Sequence, residues 1–122
     1  MQVDIMYETA KENHDLCPVI EAVKIIGGKW ELSVIKNLSE APLRFNQILK
    51  NVYGLNSRTL SRVLKNLIVY GIVNREIVST QPVTIIYSLT DMGMELKPAI
   101  EALRVWGEKH VPQIINVPYP SK

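Results

Sequence analysis

The amino-acid sequence predicts a mainly α-helical fold with one small β-hairpin, on the strength of three observations. Two segments with the apolar spacing of amphipathic helices are separated by a short turn at 53–55. Two stretches rich in β-branched residues follow, with a turn between them. Further segments with the apolar spacing of helices lie before and after this region. We expect one domain over 1–122: packing helices at 16–40, two adjacent helices at 44–71, a hairpin at 72–89 and a C-terminal helix at 90–110.

Length and composition favour a globular protein of one domain. The chain has 122 residues, of which 47% are hydrophobic, which is enough to bury roughly two-thirds of the unfolded surface. The N-terminal segment lacks the apolar run of a signal peptide, and no apolar run approaches the roughly 18 residues of a membrane span. A single cysteine excludes an internal disulfide framework. We therefore expect a cytoplasmic protein without membrane contact.

The first helix is expected to begin near Cys17. Asp15 is suited to cap it, Pro18 suits its first turn, and Gly27 and Gly28 end it. Its apolar residues at helical spacing are expected to form a buried stripe: Val19, Ile20, Val23 and Ile26. Residues 1–15 are polar, and the sequence leaves open whether they form an arm or a short helix that orders only against a partner.

A second helix is expected to begin at Lys29 or Trp30 and to stop before Pro42, because proline cannot continue a helix. Its inward residues are predicted to be Trp30, Val34, Ile35 and Leu38. These two helices would pack beside the pair that follows.

The two adjacent helices at 44–71 are predicted to form a helix-turn-helix. Phe45, Ile48, Leu49 and Val52 have helical spacing, Gly54 can adopt φ > 0, and Asn56 or Ser57 can cap the next helix. The second helix, at about 56–70, carries a longer apolar stripe consisting of Leu60, Val63, Leu64, Leu67 and Ile68. In such a motif the second helix enters the DNA major groove.

The opposite face of that second helix is basic. Arg58, Arg62 and Lys65 cluster there, and residues 41–75 carry six basic side chains and no acidic one, whereas the whole chain has a net charge of only +2. A basic patch on an otherwise acidic body orients a protein on a polyanion such as DNA. The predicted DNA-binding residues are Arg44, Asn56, Ser57, Arg58, Thr59, Ser61, Arg62, Lys65 and Arg75.

A β-hairpin is expected after Gly71, with strands at 72–78 and 83–89 and a turn at 79–82. A hairpin in this position is the wing of a winged helix. Its tip contains no Lys or Arg, so Arg75 near its base is the expected charged contact with DNA.

Thr90 is expected to cap the last helix, with a bend at Pro98 and an extended tail after His110. The helix carries an a/d seam that favours packing against another helix. The predicted dimer seam consists of Met92, Leu96, Ala99, Leu103 and Trp106. We therefore expect N- and C-terminal helices that serve in dimerisation.

Several short motifs then occur in one order over residues 16–107. They are Cys17-Pro18, Gly27-Gly28-Lys29-Trp30, Arg44-Phe45, Gly54-Leu55, Leu60 with Arg62 and Leu64, Gly71 with Arg75, Tyr87 with Leu89-Thr90, Gly93, and Trp106. Together they resemble the HxlR-type winged-helix transcription regulators. The resemblance implies a homodimeric, DNA-binding regulator related in fold to the MarR group. Two symmetric recognition helices imply a pseudo-palindromic operator.

Three alternatives stay open at this point. Cys17 is either a small buried core residue or, as the resemblance implies, a sensor of oxidants or electrophiles. The winged helix could instead serve protein contacts alone, with its basic stripe meeting an acidic surface. Enzyme activity would need a nucleophile with a base, and only Cys17 with His14 offers one, so we expect no enzyme. We expect no cofactor, and no metal site at His14 and Cys17, since His110 is the one further histidine or cysteine.

Overall fold

A computed structural model describes residues 16–115 of the chain. It confirms the mainly helical fold with a two-stranded antiparallel hairpin. The helices are α1 (Pro18–Ile26), α2 (Lys29–Leu38), α3 (Phe45–Asn51), α4 (Ser57–Val69), α5 (Asp91–Met94) and α6 (Lys97–Ile115), and the strands are β1 (Val73–Thr80) and β2 (Val83–Leu89). Residues 1–15, which include His14 and Asp15 and for which the sequence leaves both an arm and a short helix open, and the tail beyond 115 lie outside the described residues.

The core lies where α2, α3 and α4 meet the start of β1. Its buried apolar residues are Val34, Ile35, Leu38, Ile48, Val52, Leu55, Leu60, Val63, Leu64, Leu67, Ile72 and Val73. The inward stripes predicted for α2 and α4 supply most of them. Trp30 is half-buried and packs against the edge of this core.

The turn between α3 and α4 has the predicted local structure. Gly54 adopts φ of +84°, a left-handed conformation that side chains other than glycine rarely take. Asn56 is the N-cap of α4, and its side-chain oxygen accepts a hydrogen bond from the Thr59 amide at 2.8 Å. Together they fix where α4 begins and how it leaves the turn.

The wing differs in its bounds from the prediction. β1 begins one residue later and extends to Thr80, because Ser79 and Thr80 pair with Thr84 and Val83 of the returning strand. The connection is therefore only Gln81-Pro82, and the register shifts between Ile77 and Ser79. The end of β1 is therefore set by the residues of β2 with which it pairs, and the composition of β1 alone does not predict it.

The predicted single C-terminal helix with a bend at Pro98 is wrong. The chain breaks at Glu95 and Leu96 instead, between α5 and α6, and Pro98 lies in the first turn of α6, where its missing N–H leaves no helical bond unmade. The extended tail after His110 is also wrong up to residue 115, because α6 continues through Pro112.

The predicted cap at Thr90 is confirmed: Thr90 is the N-cap of α5, and it also binds the segment before the wing. Its hydroxyl accepts from the Gly93 amide at 3.1 Å and donates to the Gly71 carbonyl at 2.6 Å. Its backbone amide donates to Ile72. A Cβ on Gly93 would lie 2.3 Å from the Ile72 carbonyl oxygen, so α5 sits directly on the base of the wing.

The predicted buried stripe of α1 is wrong in this chain. Val19, Ile20 and Val23 are each at least half exposed, while Ile26 packs on the core. Cys17 stands at the N-cap without a side-chain capping bond. Apolar spacing identified the helix correctly, but spacing alone does not say what covers its apolar face.

Candidate nucleic-acid interface

The basic face of α4 is exposed, as its periodicity requires. The buried leucine-rich face holds the helix against the core, so Arg58, Arg62 and Lys65 point to solvent. Ser57 and Ser61 are exposed on the same helix, and Thr59 is half-buried. The result is a rigid helix that presents charged and hydrogen-bonding groups in fixed order, which suits recognition of base edges and phosphates.

Asn56 is the N-cap of α4, which restricts the contacts that its side chain can make with DNA. Its side-chain oxygen is engaged by the Thr59 amide, which leaves its amide nitrogen as the group that could face a phosphate. Any contact from Asn56 to DNA would thus be tied to the start of α4.

Arg62 has a neighbour that the sequence did not reveal. Its Nη1 lies 3.7 Å from Oε2 of Glu31, in the first turn of α2. The Glu31 side chain is only 18% exposed, whereas that of Arg62 is 56% exposed. The acid-free stretch around the helix-turn-helix is therefore met in space by a carboxylate from an earlier helix. Glu31 and Arg62 are far apart in the sequence, and no local pattern of residues predicts that they meet.

Arg75 and Lys65 come together at the base of the wing. Both line a groove of about 280 Å³ between α4 and the hairpin, with Ser61 and Tyr87 among its other walls. Arg44 lines a second groove, between α3 and the strand residues Val83–Ile85. The predicted basic residues thus lie on α4, at the base of the wing and beside the strand residues that follow its turn.

Beyond Arg75 the wing carries no basic side chain. No Lys or Arg occurs between 76 and 89, and Ile77, Val78 and Val83 are exposed. Any charged contact of the wing must therefore come from its base, at Arg75.

The predicted dimer seam is divided in the structure. Leu96 is half-buried and packs against the core of its own chain. The other members are exposed, with Leu103 at 59% and Trp106 at 54% exposure. Trp106 is in ring contact with His110, one turn further along α6, at 5.1 Å between centroids. An apolar strip of α6 is thus open to a second helix.

The charged residues of α6 pair within the helix. Arg104 forms ion pairs with Glu101 and, at 2.6 Å, with Glu108. Its hydrogen bond to Glu101 lowers the pKa of that carboxyl, and the two carboxylates raise the pKa of Arg104. Arg104 and the two glutamates thus form a network of ion pairs on the same helix as the apolar strip.

Cys17 is exposed, so the alternative of a buried core cysteine is wrong. Within residues 16–115 no cluster of three or more His, Cys, Asp or Glu side chains could hold a metal ion. None of the helices described between those residues combines the length and apolarity needed to cross a membrane.

Comparisons with known proteins agree with this geometry. The family described as HxlR-like helix-turn-helix matches residues 25–115. A helix-turn-helix-type transcriptional regulator of Methanothermobacter thermautotrophicus is 37% identical over 95 residues, covering 78% of this chain and 72% of that protein. The regulator YdeP of Bacillus subtilis is 33% identical over 105 residues, covering 86% and 82%.

Among solved structures, the reduced form of the redox regulator HypR superposes with a TM-score of 0.77. It is 30% identical, and the match covers 82% of this chain and 99% of HypR. The winged-helix architecture, the exposed basic helix and these relatives lead to one conclusion: the chain belongs to the HxlR-like helix-turn-helix family of transcriptional regulators.

Proposed function

We propose that this protein is a sequence-specific, double-stranded DNA-binding regulator that acts as a homodimer on a pseudo-palindromic operator. The observation that carries the proposal is the exposed basic face of α4, held in place by an apolar face whose Leu60, Val63, Leu64 and Leu67 are buried. A helix anchored in this way can lie in the major groove with its side chains directed at base edges.

The arrangement of charges suggests a division of tasks. Arg58 and Arg62 lie on the outer face of α4, where a guanidinium can bind O6 and N7 of guanine through two hydrogen bonds. Lys65 and Arg75 share the groove at the wing base and suit phosphate oxygens on the flank, as does Arg44 on the other side of the wing. Asn56, Ser57, Thr59 and Ser61 supply shorter polar contacts at the start of α4.

Homodimerisation is supported by the apolar surface that α6 and α1 leave open. Leu103, Trp106 and Met92 are each at least half exposed on α5 and α6, and Val19 and Val23 are so on α1. A second copy is the proposed occupant, since the exposed part of the seam on α6, at Leu103 and Trp106, would then meet itself across a two-fold axis. Two α4 helices so related would read half-sites about one helical turn apart.

A redox- or electrophile-responsive form of this regulator is a second candidate. The supporting observation is that Cys17 is exposed at the start of α1, the helix whose apolar face is open. A modified thiol there would lie at the proposed dimer surface. HypR, a redox regulator, is similar to this chain in both its reduced and its oxidised structures.

The test of the proposed function is selection of duplexes from a random pool by the purified protein, followed by titration of the enriched duplex and of an unrelated one at low and moderate salt. We expect an enriched palindrome, with affinity that falls steeply as salt rises. A winged helix that serves protein contacts alone would enrich no sequence and would bind either duplex weakly.

A further inference from the structure

The two oxygens of the Glu31 carboxylate face different neighbours. Oε2 lies 3.7 Å from Nη1 of Arg62 on α4. Oε1 is directed at the N-cap of its own helix, where a Cβ built on Gly28 would be 2.0 Å away. Glu31 is the third residue of α2, a position from which an acidic side chain folds back on the positive end of the helix. Glu31 thus joins the start of α2 to the middle of the recognition helix.

This pair is unlike the surface ion pairs elsewhere in the described part of the chain. Glu21 with Lys24, and Arg104 with its two glutamates, join residues about one turn apart on a single helix. Glu31 and Arg62 belong to different helices, and the Glu31 side chain is four-fifths buried. Its carboxylate is therefore held in place by the protein before any DNA arrives.

The geometry leaves Arg62 available to a ligand. At 3.7 Å the contact is longer than a hydrogen bond, so it directs the guanidinium by charge and leaves its donors unused. An arginine offers five donors in a planar fork, and one edge can face a carboxylate while the other faces a base. More than half of the Arg62 side chain remains exposed for this purpose.

We infer that Glu31 is a positioning residue that sets the sequence specificity of Arg62, an inference that rests on the proposed DNA-binding function. A side chain already directed by a buried neighbour loses less freedom on binding, which favours the one geometry that a bidentate base contact requires. The same negative charge offsets the attraction of Arg62 for phosphate, which is the part of binding that carries no sequence information. Glu31 therefore raises the ratio of specific to non-specific affinity.

The experiment measures that ratio with the duplex that the wild-type protein enriches from a random pool and with a scrambled duplex of equal length. Glu31→Gln keeps the shape and removes the charge. We expect non-specific affinity to rise and the ratio to fall by about threefold to tenfold, part of the discrimination that a good arginine–base contact gives. In an Arg62→Ala background, Glu31→Gln should leave the ratio unchanged. Glu76→Gln, which removes an exposed carboxylate beside Arg75 on the wing, is the matched control and should not lower the ratio.

Gly28→Ala tests whether the position of the Glu31 carboxylate matters, apart from its charge. Gly28 has φ of −67° and ψ of 149°, which alanine adopts without strain. The new methyl group would occupy the place of Glu31 Oε1 and displace the carboxylate while the net charge stays the same. We expect the ratio to fall as in Glu31→Gln, with unchanged circular dichroism and an unchanged oligomeric state.

Two results would overturn the inference while leaving the proposed function intact. One is that Glu31→Gln raises both affinities equally, as a general charge effect would. The other is that it lowers the ratio equally with or without Arg62. If the wild-type protein enriches no sequence at all, the proposed function itself fails, and the inference fails with it.

Discussion

Leu43 and Tyr87 are joined by two backbone hydrogen bonds, of 2.9 Å from the Leu43 amide and 2.8 Å from the Tyr87 amide. The residue just before the helix-turn-helix therefore pairs with the outer edge of β2. Because α3 begins two residues later, this pairing fixes the wing relative to the helices that would face DNA.

The pairing predicts that Leu43→Pro will destabilise the protein through its backbone. Proline removes the amide donor and leaves the Tyr87 carbonyl without it, at a cost of about 1–3 kcal/mol. Leu43→Ala is the control, because it loses the side chain but keeps the amide. Urea unfolding should place Leu43→Pro below Leu43→Ala by that amount, and equal stability of the two would show that the hydrogen bonds contribute little.

The basic face of α4 predicts different effects for arginine and lysine. Arg58→Ala or Arg62→Ala should weaken specific binding by about 1–3 kcal/mol if the guanidinium reads a base. Lys65→Ala should weaken specific and non-specific binding alike and reduce the salt slope by about one unit. Titrations of the enriched duplex at several salt concentrations measure both quantities. Unchanged affinity in both arginine variants, with the fold intact by circular dichroism, would contradict the assignment of α4.

The open strip on α6 predicts that Leu103→Glu will produce folded monomers that no longer bind the operator specifically. A buried, unpaired carboxylate at the seam would oppose association, whereas in the monomer it would meet water. Val105→Glu is the matched control, since Val105 is similarly exposed on α6 but lies outside the seam. Sedimentation decides the matter. A wild-type protein that is monomeric at micromolar concentration and still binds a single half-site would refute the dimer.

The exposure of Cys17 predicts a thiol that reacts readily in the folded protein. We expect a maleimide to label it without denaturant. If the redox candidate is correct, diamide, which converts two thiols to a disulfide and is itself reduced, should release the wild-type protein from the enriched duplex. Cys17→Ser should stay bound. Equal loss of DNA by both proteins under diamide would leave the cysteine without a sensing role.

Thr90→Ala should destabilise the protein by about 0.5–2 kcal/mol, because it removes the N-cap of α5 together with the hydrogen bond to Gly71. Thr90→Ser keeps the hydroxyl and should retain most of the wild-type stability. Thermal unfolding of the three proteins measures the difference, and a Thr90→Ser variant as unstable as Thr90→Ala would assign the effect to the lost methyl group.

Local patterns predicted the parts of the fold that local interactions determine. The helical spacing of Leu60, Val63 and Leu67 located α4, and Gly54 and Asn56 located its beginning, because turns and caps are made by neighbouring residues. The exposure of the basic face, which is proposed to bind DNA, followed from the same spacing, since residues opposite a buried stripe must be exposed.

Contacts between distant segments could not be predicted in this way. The Glu31–Arg62 pair and the Leu43–Tyr87 bridge depend on how helices and strands approach one another, which no single segment encodes. The exposure of α1 has a related cause: Val19 and Val23 have core-like spacing whether their partner belongs to the same chain or to another. The predicted bend at Pro98 is wrong because a proline is compatible with the first turn of a helix as well as with a bend inside one.

The hydrogen bond from Thr90 to Gly71 also bears on the order in which the chain folds. It closes a segment of consecutive residues that contains both strands and the turn, so the wing and its base can form from neighbours in sequence. The Leu43–Tyr87 bridge, by contrast, closes a longer loop that includes the whole helix-turn-helix, and longer loops form at a greater entropic cost. During synthesis α3 and α4 would emerge well before Tyr87. Helix α4 can therefore assemble first, and the wing is fixed to it last.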